Sequence, residues 1–195
     1  MLQGRTYSQP IVRALDADAL AELSDEDAET GEDDGLEGNQ QYRDLRFIGW
    51  DLVERVIERE KALFARFAAA PDLEAEAERF LEEIEAVWEP DEDFCGLDIG
   101  VIAATFALSA LGAVTVSSCN AGGFGGRHAE RFPLIIMYLP RHLAPEVLAI
   151  AEAADVGLDM VSGLVRLYGR SDYDLHRFAE VALARHLSRR AAALA

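Results

Sequence analysis

Residues 114–139 read VTVSSCNAGGFGGRHAERFPLIIMYL, and this stretch decides the fold. It contains two runs of β-prone residues, at 114–116 and 133–139, on either side of a glycine-rich loop. The second run is apolar at nearly every position, which is typical of a central strand that is covered on both faces. The stretch therefore predicts two strands of one buried sheet, joined by a loop over residues 117–131.

The segments that flank this stretch carry helix signals. Asp98 can cap a helix that ends near Gly112, because glycine readily adopts the left-handed conformation that ends many helices. Pro145 fits the first turn of a second helix, where its missing N–H is not needed. Ser171 and Asp174 resemble a capping box that opens a C-terminal amphipathic helix.

The order of these elements predicts the fold class. Strands are expected near residues 113–118, 133–139 and 157–168, with a tight turn inside the last segment. Helices fall between the strands and after them. This order favours an α+β fold, in which one small mixed sheet packs against helices.

Residues 47–89 carry two apolar stripes at helical spacing. The first helix ends at Pro71 and the second ends before Pro90, since proline cannot continue a helix. We expect the two helices to form an antiparallel hairpin with an apolar inner face. On the second helix that face is formed by Leu73, Ala77, Phe80, Leu81, Ile84 and Trp88.

The N-terminal segment differs sharply from the rest of the chain. Residues 16–42 contain eleven acidic residues and no basic residue. Charges this dense repel one another, so residues 1–42 are expected to be an acidic arm that is disordered or loosely docked. Residues 43–195 then form a single α+β domain, with the helical hairpin at 47–89 and a sheet-and-helix part at 94–195.

Composition excludes several classes of protein. With 36 acidic and 18 basic residues the formal charge is −18, which argues against a nucleic-acid partner because phosphates are repelled. Two cysteines do not make a disulfide framework, and this favours a reducing compartment, the cytoplasm. Residues 99–118 lack charge, but their many small residues favour a buried helix and strand over a membrane span.

Three residues of the loop form a candidate catalytic set. Cys119 lies at the end of a predicted strand and is a candidate nucleophile, with His128 as its base. Glu130 is placed to orient the imidazole of His128. The alternative is that Cys119 is a small buried hydrophobic residue, which is the common behaviour of a free cysteine.

The same loop predicts a binding site for a small polar or anionic ligand. Glycine allows close backbone approach, so successive N–H groups can surround an anion, and an arginine adds further donors. The serines and the asparagine could instead satisfy the backbone of a turn. The sequence identifies no cofactor, and its cysteines and histidines lack metal-ligand spacing. The candidate ligand-binding residues are Ser117, Ser118, Asn120, Gly122, Gly123, Gly125, Gly126 and Arg127.

Part of the chain resembles a known enzyme family. A strand ending in Ser-Ser-Cys at residues 117–119, followed by glycine, strand, helix and strand, is similar to the wybutosine-synthesising tRNA methyltransferase family over about residues 113–169. That family carries Ser-Ser-Cys-Ser-Gly-Arg, whereas here Asn120 replaces serine and arginine appears only at Arg127. The resemblance implies S-adenosylmethionine, a tRNA substrate and RNA modification. The loop also resembles bacterial proteins that have no assigned function.

A different hypothesis assigns the function to the acidic residues. Residues 72–93 contain eleven acids and one base, and the acids fall on the outer face of the second hairpin helix. The chain would then be a non-catalytic interaction protein of the inhibitor, antitoxin or immunity type, which binds a basic protein through helix 72–89. The candidate partner-binding residues are Glu78, Glu82, Glu85 and Glu89.

Overall fold

The computed structural model describes residues 4–40, 42–86, 96–125 and 130–193. These residues form an α+β fold, as the sequence predicts. The helices are α1 (Asp25–Asp34), α2 (Trp50–Ala69), α3 (Leu73–Ala86), α4 (Ile102–Leu111), α5 (Ala144–Ala154) and α6 (Asp174–Ala193). The strands are β1 (Val114–Cys119), β2 (Leu134–Tyr138), β3 (Gly157–Val161) and β4 (Leu164–Tyr168).

The four strands form one sheet in the order β1-β2-β4-β3, and each neighbouring pair is antiparallel. The sequence pattern predicts a mixed sheet, and the reason for the difference is the position of β4. Helix α5 returns the chain so that β3 runs parallel to β2, but β4 lies between them. The result is a split β-α-β unit without a parallel ladder between the named strands.

One face of the sheet forms the main core with the helices. Ile135, Met137, Leu158 and Leu167 are fully buried on this face, against α4, α5 and α6. Helix α2 then packs on α4 and α6. Each Å² of buried apolar surface stabilises the fold by about 25 cal/mol, so this layer is the main source of stability.

Helix α4 lies in the centre of the helical layer. Residues 102–109 are all buried, so a charge anywhere on this helix would be costly to desolvate. This explains the uncharged stretch in the sequence and confirms a buried helix followed by a strand. In the part of the chain that the structure describes, no helix has both the length and the apolar character to cross a bilayer.

The N-terminal segment packs on the opposite face of the sheet. Leu23, Leu36 and the buried Tyr42 contact a second apolar cluster that includes Val114 and Ile136. Helix α1 is capped by Ser24, whose side chain accepts the N–H of Asp27. Few apolar groups therefore suffice to hold a strongly acidic segment against the sheet.

The start of the chain also binds the outer strand β3. The N–H of Leu158 donates to the carbonyl of Val12 at 2.8 Å, and the N–H of Ala14 donates to the carbonyl of Leu158 at 2.9 Å. Further along, the N–H of Ala21 donates to Gly163. The sequence predicts an acidic arm that is either disordered or loosely docked, and these contacts correspond to a docked arm. The domain boundary near residue 42 stays a prediction.

Helix α3 contacts α2 through a narrow stripe. Arg66 of α2 bonds both Glu76 and Glu83, and the rings of Phe67 and Phe80 meet edge to face. Leu81 is 56% exposed, so its expected place on the inner face of the hairpin is wrong. Among the described side chains of α3, Ala77 and Phe80 pack against the core, and Leu81 points away from them. Trp88 and Glu89 lie outside the described residues.

Candidate functional site

Asn120 holds the first part of the glycine-rich loop in place. Its Nδ2 donates to the carbonyl of Ile99 at 2.9 Å, and its Oδ1 accepts the N–H of Gly122 at 2.9 Å. Its own N–H donates to a carboxylate oxygen of Asp98. Both polar ends of the buried side chain therefore stabilise a turn, which is the structural alternative for this residue, and its role in ligand binding stays a prediction.

Gly123 lies directly against the carboxylate of Asp172, which is 3% exposed. One oxygen of Asp172 accepts the hydroxyl of Tyr7 at 2.7 Å, and the other accepts the N–H of Arg5 at 2.6 Å. Burial raises the pKa of the Asp172 carboxyl, and these hydrogen bonds offset only part of the effect. Burial and the hydrogen bond to Asp172 likewise raise the pKa of Tyr7. The loop and the N-terminal segment thus share one buried acid.

Cys119 is a buried free thiol at the end of β1. Its Sγ accepts the N–H of Ala121 at 3.4 Å, which is a contact within the turn. Glu130 is exposed, and its charge acts on Arg166, where it adds a little to the pKa-raising effect of the hydrogen bond with Asp159. Gly126, Arg127 and His128 lie outside the described residues, so the proposed catalytic set stays a prediction.

A cavity of about 60 Å³ opens beside the outer edge of β1. Two of its lining residues, Ser117 and Ser118, are among the predicted ligand-binding residues. The others come from the segment before α2, from the segment before α4, from α4 itself and from the start of β1. The lining residues are Asn39, Arg43, Leu45, Leu97, Thr105, Thr115, Val116, Ser117 and Ser118.

A β-bulge shapes this edge. The pairing of β1 with β2 shifts between Thr115 and Ser117, so Val116 is an extra residue in β1. The carbonyl of Val116 accepts Nδ2 of Asn39 at 3.0 Å, which fixes the segment before α2 next to the strand. The bulge brings Ser117 opposite Ile136, and both serines remain within the wall of the cavity.

Three hydroxyl groups and one guanidinium of this cavity are available for a ligand. Among the described residues, the hydroxyls of Thr115, Ser117 and Ser118 have no hydrogen-bond partner in the chain. Arg43 is exposed and forms no ion pair with a described carboxylate. The neighbouring acid, Asp44, is engaged by Arg46, whose Nε and Nη2 donate to it at 2.9 and 2.7 Å. None of the described residues that line the cavity carries a carboxylate.

The sequence offers no signal for the contribution of Asn39 and Arg43 to this cavity. They lie more than 70 positions before the serines in an acidic part of the chain, and only the packing of that segment on the sheet brings them there. Thr115 has a weak signal, because it is a polar residue within the β-prone run 114–116.

A second polar cluster lies inside the helical layer. Glu60 is fully buried, and its carboxylate accepts the N–H groups of Gly100, Ile102 and Ala103 at the start of α4. Nδ1 of His176 lies 2.7 Å from the same carboxylate. Glu60 follows Ile57 by three positions, so it lies within the apolar stripe of α2. An acidic residue at such a position could have indicated a buried polar site from the sequence.

The acidic residues of α3 divide into two groups. Glu76 and Glu83 are paired with Arg66, whereas the predicted partner-binding residues Glu78 and Glu82 are exposed. The side chain of Glu85 and all of Glu89 lie outside the described part of the chain. Among the described acids of α3, neither Glu78 nor Glu82 lines the β1 cavity.

Comparison with known protein families, with curated proteins and with solved structures finds no match. The resemblance to the wybutosine-synthesising family, and the activity that it implies, stay expectations. Among the described residues no group of three or more histidine, cysteine, aspartate or glutamate side chains is arranged to hold a metal ion.

Proposed function

We propose that the protein binds a small polar or anionic ligand in the cavity beside β1. The observation that carries this proposal is the lining itself. Its described residues include four that bear a hydroxyl, an asparagine and an arginine, and none of them carries a carboxylate. This is unexpected in a chain that has twice as many acidic as basic residues. A pocket with a few convergent polar groups is the usual form of a small-molecule site.

The size of the cavity limits the ligand. A volume of about 60 Å³ holds roughly four to six water-sized groups, at about 10–15 Å³ of probe-occupied volume for each. A molecule of about five non-hydrogen atoms therefore fits entirely, whereas a nucleotide would lie mostly outside. Leu45 and Leu97 supply the apolar part of the wall.

The proposal covers binding and leaves out covalent chemistry. Cys119 does not line the cavity, and its sulfur is engaged in the turn that follows β1. The expected cytoplasmic location belongs to the same proposal, supported by the free thiol of Cys119.

The test is a titration followed by NMR on ¹⁵N-labelled protein. Inorganic phosphate, acetate, urea and glycerol are added separately, and we expect at least one of them to shift the amide signals of Thr115, Ser117 and Ser118 saturably. Ser118→Ala should weaken that effect, whereas Ser188→Ala on the exposed face of α6 should not. If none of the four probes shifts the β1 signals, the cavity is not a ligand site.

A second candidate function, binding of a basic protein, is favoured by one observation. Leu81 is 56% exposed and lies between the exposed Glu78 and Glu82. An apolar side chain within an acidic surface can anchor a contact that opposite charges steer.

The test of this second function uses charge reversal. A basic protein captured at low salt should be lost from the variant Glu78→Lys/Glu82→Lys and retained by Glu58→Lys, an exposed glutamate on α2. Capture should weaken as salt rises, because exposed charges are screened over a Debye length of roughly 8 Å at physiological ionic strength. Equal capture by all three proteins would reject this function.

A further inference from the structure

We infer that the ligand of the β1 cavity is a small tetrahedral oxyanion, a phosphate or sulfate group, with Arg43 as its counter-charge. This inference rests on the proposed function and names the chemistry of its ligand. It starts from Arg43, the cationic side chain among the described lining residues.

Arg43 is available to an external anion. Asp44, its neighbour in sequence, is held by Arg46 through both carboxylate oxygens, with contacts of 2.9 and 2.7 Å to Oδ2 and of 3.0 and 3.1 Å to Oδ1. Burial would raise the pKa of Asp44, but the hydrogen bonds from Arg46 outweigh burial and lower it. The carboxylate of Asp44 thus stays ionised and paired with Arg46, and the guanidinium of Arg43 keeps its donors for a ligand.

The hydroxyls of the cavity match an acceptor-only ligand. Thr115, Ser117 and Ser118 each carry a hydroxyl that can donate, and none of these hydroxyls is engaged within the described chain. A phosphate or sulfate group presents several acceptor oxygens and needs donors arranged around it. A guanidinium on one side and hydroxyls from a strand edge on the other satisfy that need.

The remaining lining residues fit the same ligand. Thr105 donates its hydroxyl to the carbonyl of Val101 at 2.9 Å, so it does not compete for the donors of the cavity. Asn39 is fixed by its bond to Val116 and closes one side. A phosphate or sulfate ion has five non-hydrogen atoms, which agrees with a cavity of about 60 Å³.

The experiment measures the affinity of the full-length protein for inorganic phosphate, sulfate, glycerol phosphate, urea and glycerol at constant ionic strength, by NMR titration. We expect phosphate or sulfate to shift the signals of Thr115, Ser117 and Ser118, and urea and glycerol to leave them unchanged. Arg43→Gln should weaken the affinity for the anion at least about tenfold. Arg43→Lys should weaken the affinity less, because lysine keeps the positive charge but lacks the planar guanidinium with its paired N–H donors. Arg55→Gln is the matched control, since Arg55 is an exposed arginine of α2 outside the cavity.

The outcomes separate the two proposals. Binding of urea or glycerol without binding of any oxyanion would overturn the inference and leave the proposed function standing. An equal loss of anion affinity in Arg43→Gln and Arg55→Gln would also overturn it, since the attraction would then be a property of the general surface charge. A lack of response to every probe would reject both. Tighter binding of glycerol phosphate than of inorganic phosphate would identify the phosphate group of an organic ester as the ligand.

Discussion

A β-carbon on Gly123 would lie 2.2 Å from Oδ1 of Asp172 and 2.6 Å from its Cγ, so glycine is the one residue that this contact accepts. The carboxylate cannot move aside easily, because Tyr7 and the backbone of Arg5 hold it. The conformation of the glycine-rich loop therefore depends on an acid that lies about fifty positions further along the chain.

Gly123→Ala should destabilise the fold by about 1–3 kcal/mol, the usual cost of forcing an extra methyl group into a packed site. Urea denaturation followed by circular dichroism measures it. Gly49→Ala is the control, because nothing lies within 4 Å of the added carbon and φ is −70° there. In an Asp172→Ala background the cost of Gly123→Ala should shrink. An equal cost in both backgrounds would show that the contact with Asp172 is not the cause.

Asp172→Asn should reduce the dependence of stability on pH. The pKa of the Asp172 carboxyl is raised in the folded state. Its contribution to folding stability is therefore complete below the unfolded-state pKa of about 3.9, and this contribution is lost as the pH rises through the folded-state pKa. An asparagine can still accept the N–H of Arg5 and can donate to the oxygen of Tyr7. The melting temperature of the variant, relative to the unaltered protein, should therefore rise between pH 4 and pH 7.

Asp155→Asn is a control for this experiment, because its effect on stability should change with pH in the opposite direction. Hydrogen bonds from Arg13 lower the pKa of Asp155, so its stabilising effect is present at neutral pH and is lost as pH falls below its usual range. Its variant should lose the most stability near pH 7 and the least near pH 3. The same pH trend in both variants would contradict the assignment of the two carboxyl groups.

Glu60→Gln should destabilise the helical layer strongly. The amide of glutamine would direct an N–H group at one of the donors that now bind the carboxylate, which are three backbone N–H groups and His176. A buried donor that loses its acceptor costs about 1–3 kcal/mol, which lowers the melting temperature by roughly 3–10 °C in a chain of this size. Glu58→Gln on the exposed side of α2 should change it little. Similar melting temperatures for both variants would contradict a structural role for Glu60.

Cys119 should react slowly with thiol reagents in the folded protein. The residue is 9% exposed and its sulfur is engaged within a turn. Buried cysteines of this kind are usually inert. The measurement uses Cys95→Ser protein, so that Cys119 is the one remaining thiol. Rapid labelling of the folded protein, with a rate that titrates below a pH of about 8.5, would instead support the prediction that Cys119 is a nucleophile.

Deletion of residues 1–40 should lower the melting temperature by roughly 10 °C. It removes the buried side chains of Leu20 and Ala28, and it removes the two groups that donate to Asp172. Loss of one buried leucine costs about 2 kcal/mol and an unsatisfied buried acceptor costs about 1–3 kcal/mol. Deletion of residues 191–195 is the control, since residues 191–193 are exposed. Melting of the long truncation within a few degrees of the full chain would show that the segment contributes little.

Local signals were enough for most secondary structure. Gly112 ends α4 in the left-handed conformation, and Ser171 forms its bonds with Asp174 at the start of α6. Such features depend on residues within one turn of each other, so the sequence displays them directly.

The candidate site depended on contacts that no local pattern contains. The bulge at Val116 changes which residues of β1 share a face. Packing of the segment before α2 against the sheet brings Arg43 into the same cavity as Ser117 and Ser118. The exposure of Leu81 has the same origin, since a helix with an apolar stripe can bury only as much of it as its neighbours cover.

The bonds of the N-terminal segment to the sheet have a consequence for the behaviour of the protein at high concentration. The outer strand β3 is partly covered by Val12 and Ala14, and the carbonyl of Val116 on β1 is taken by Asn39. Unpaired strand edges are templates on which further chains add and aggregate. Residues 12–14 and Asn39 occupy these edges, and the eleven acidic residues along 16–42 repel an approaching copy. Proteolytic loss of residues 1–42 should therefore expose both edges and favour edge-to-edge association of copies.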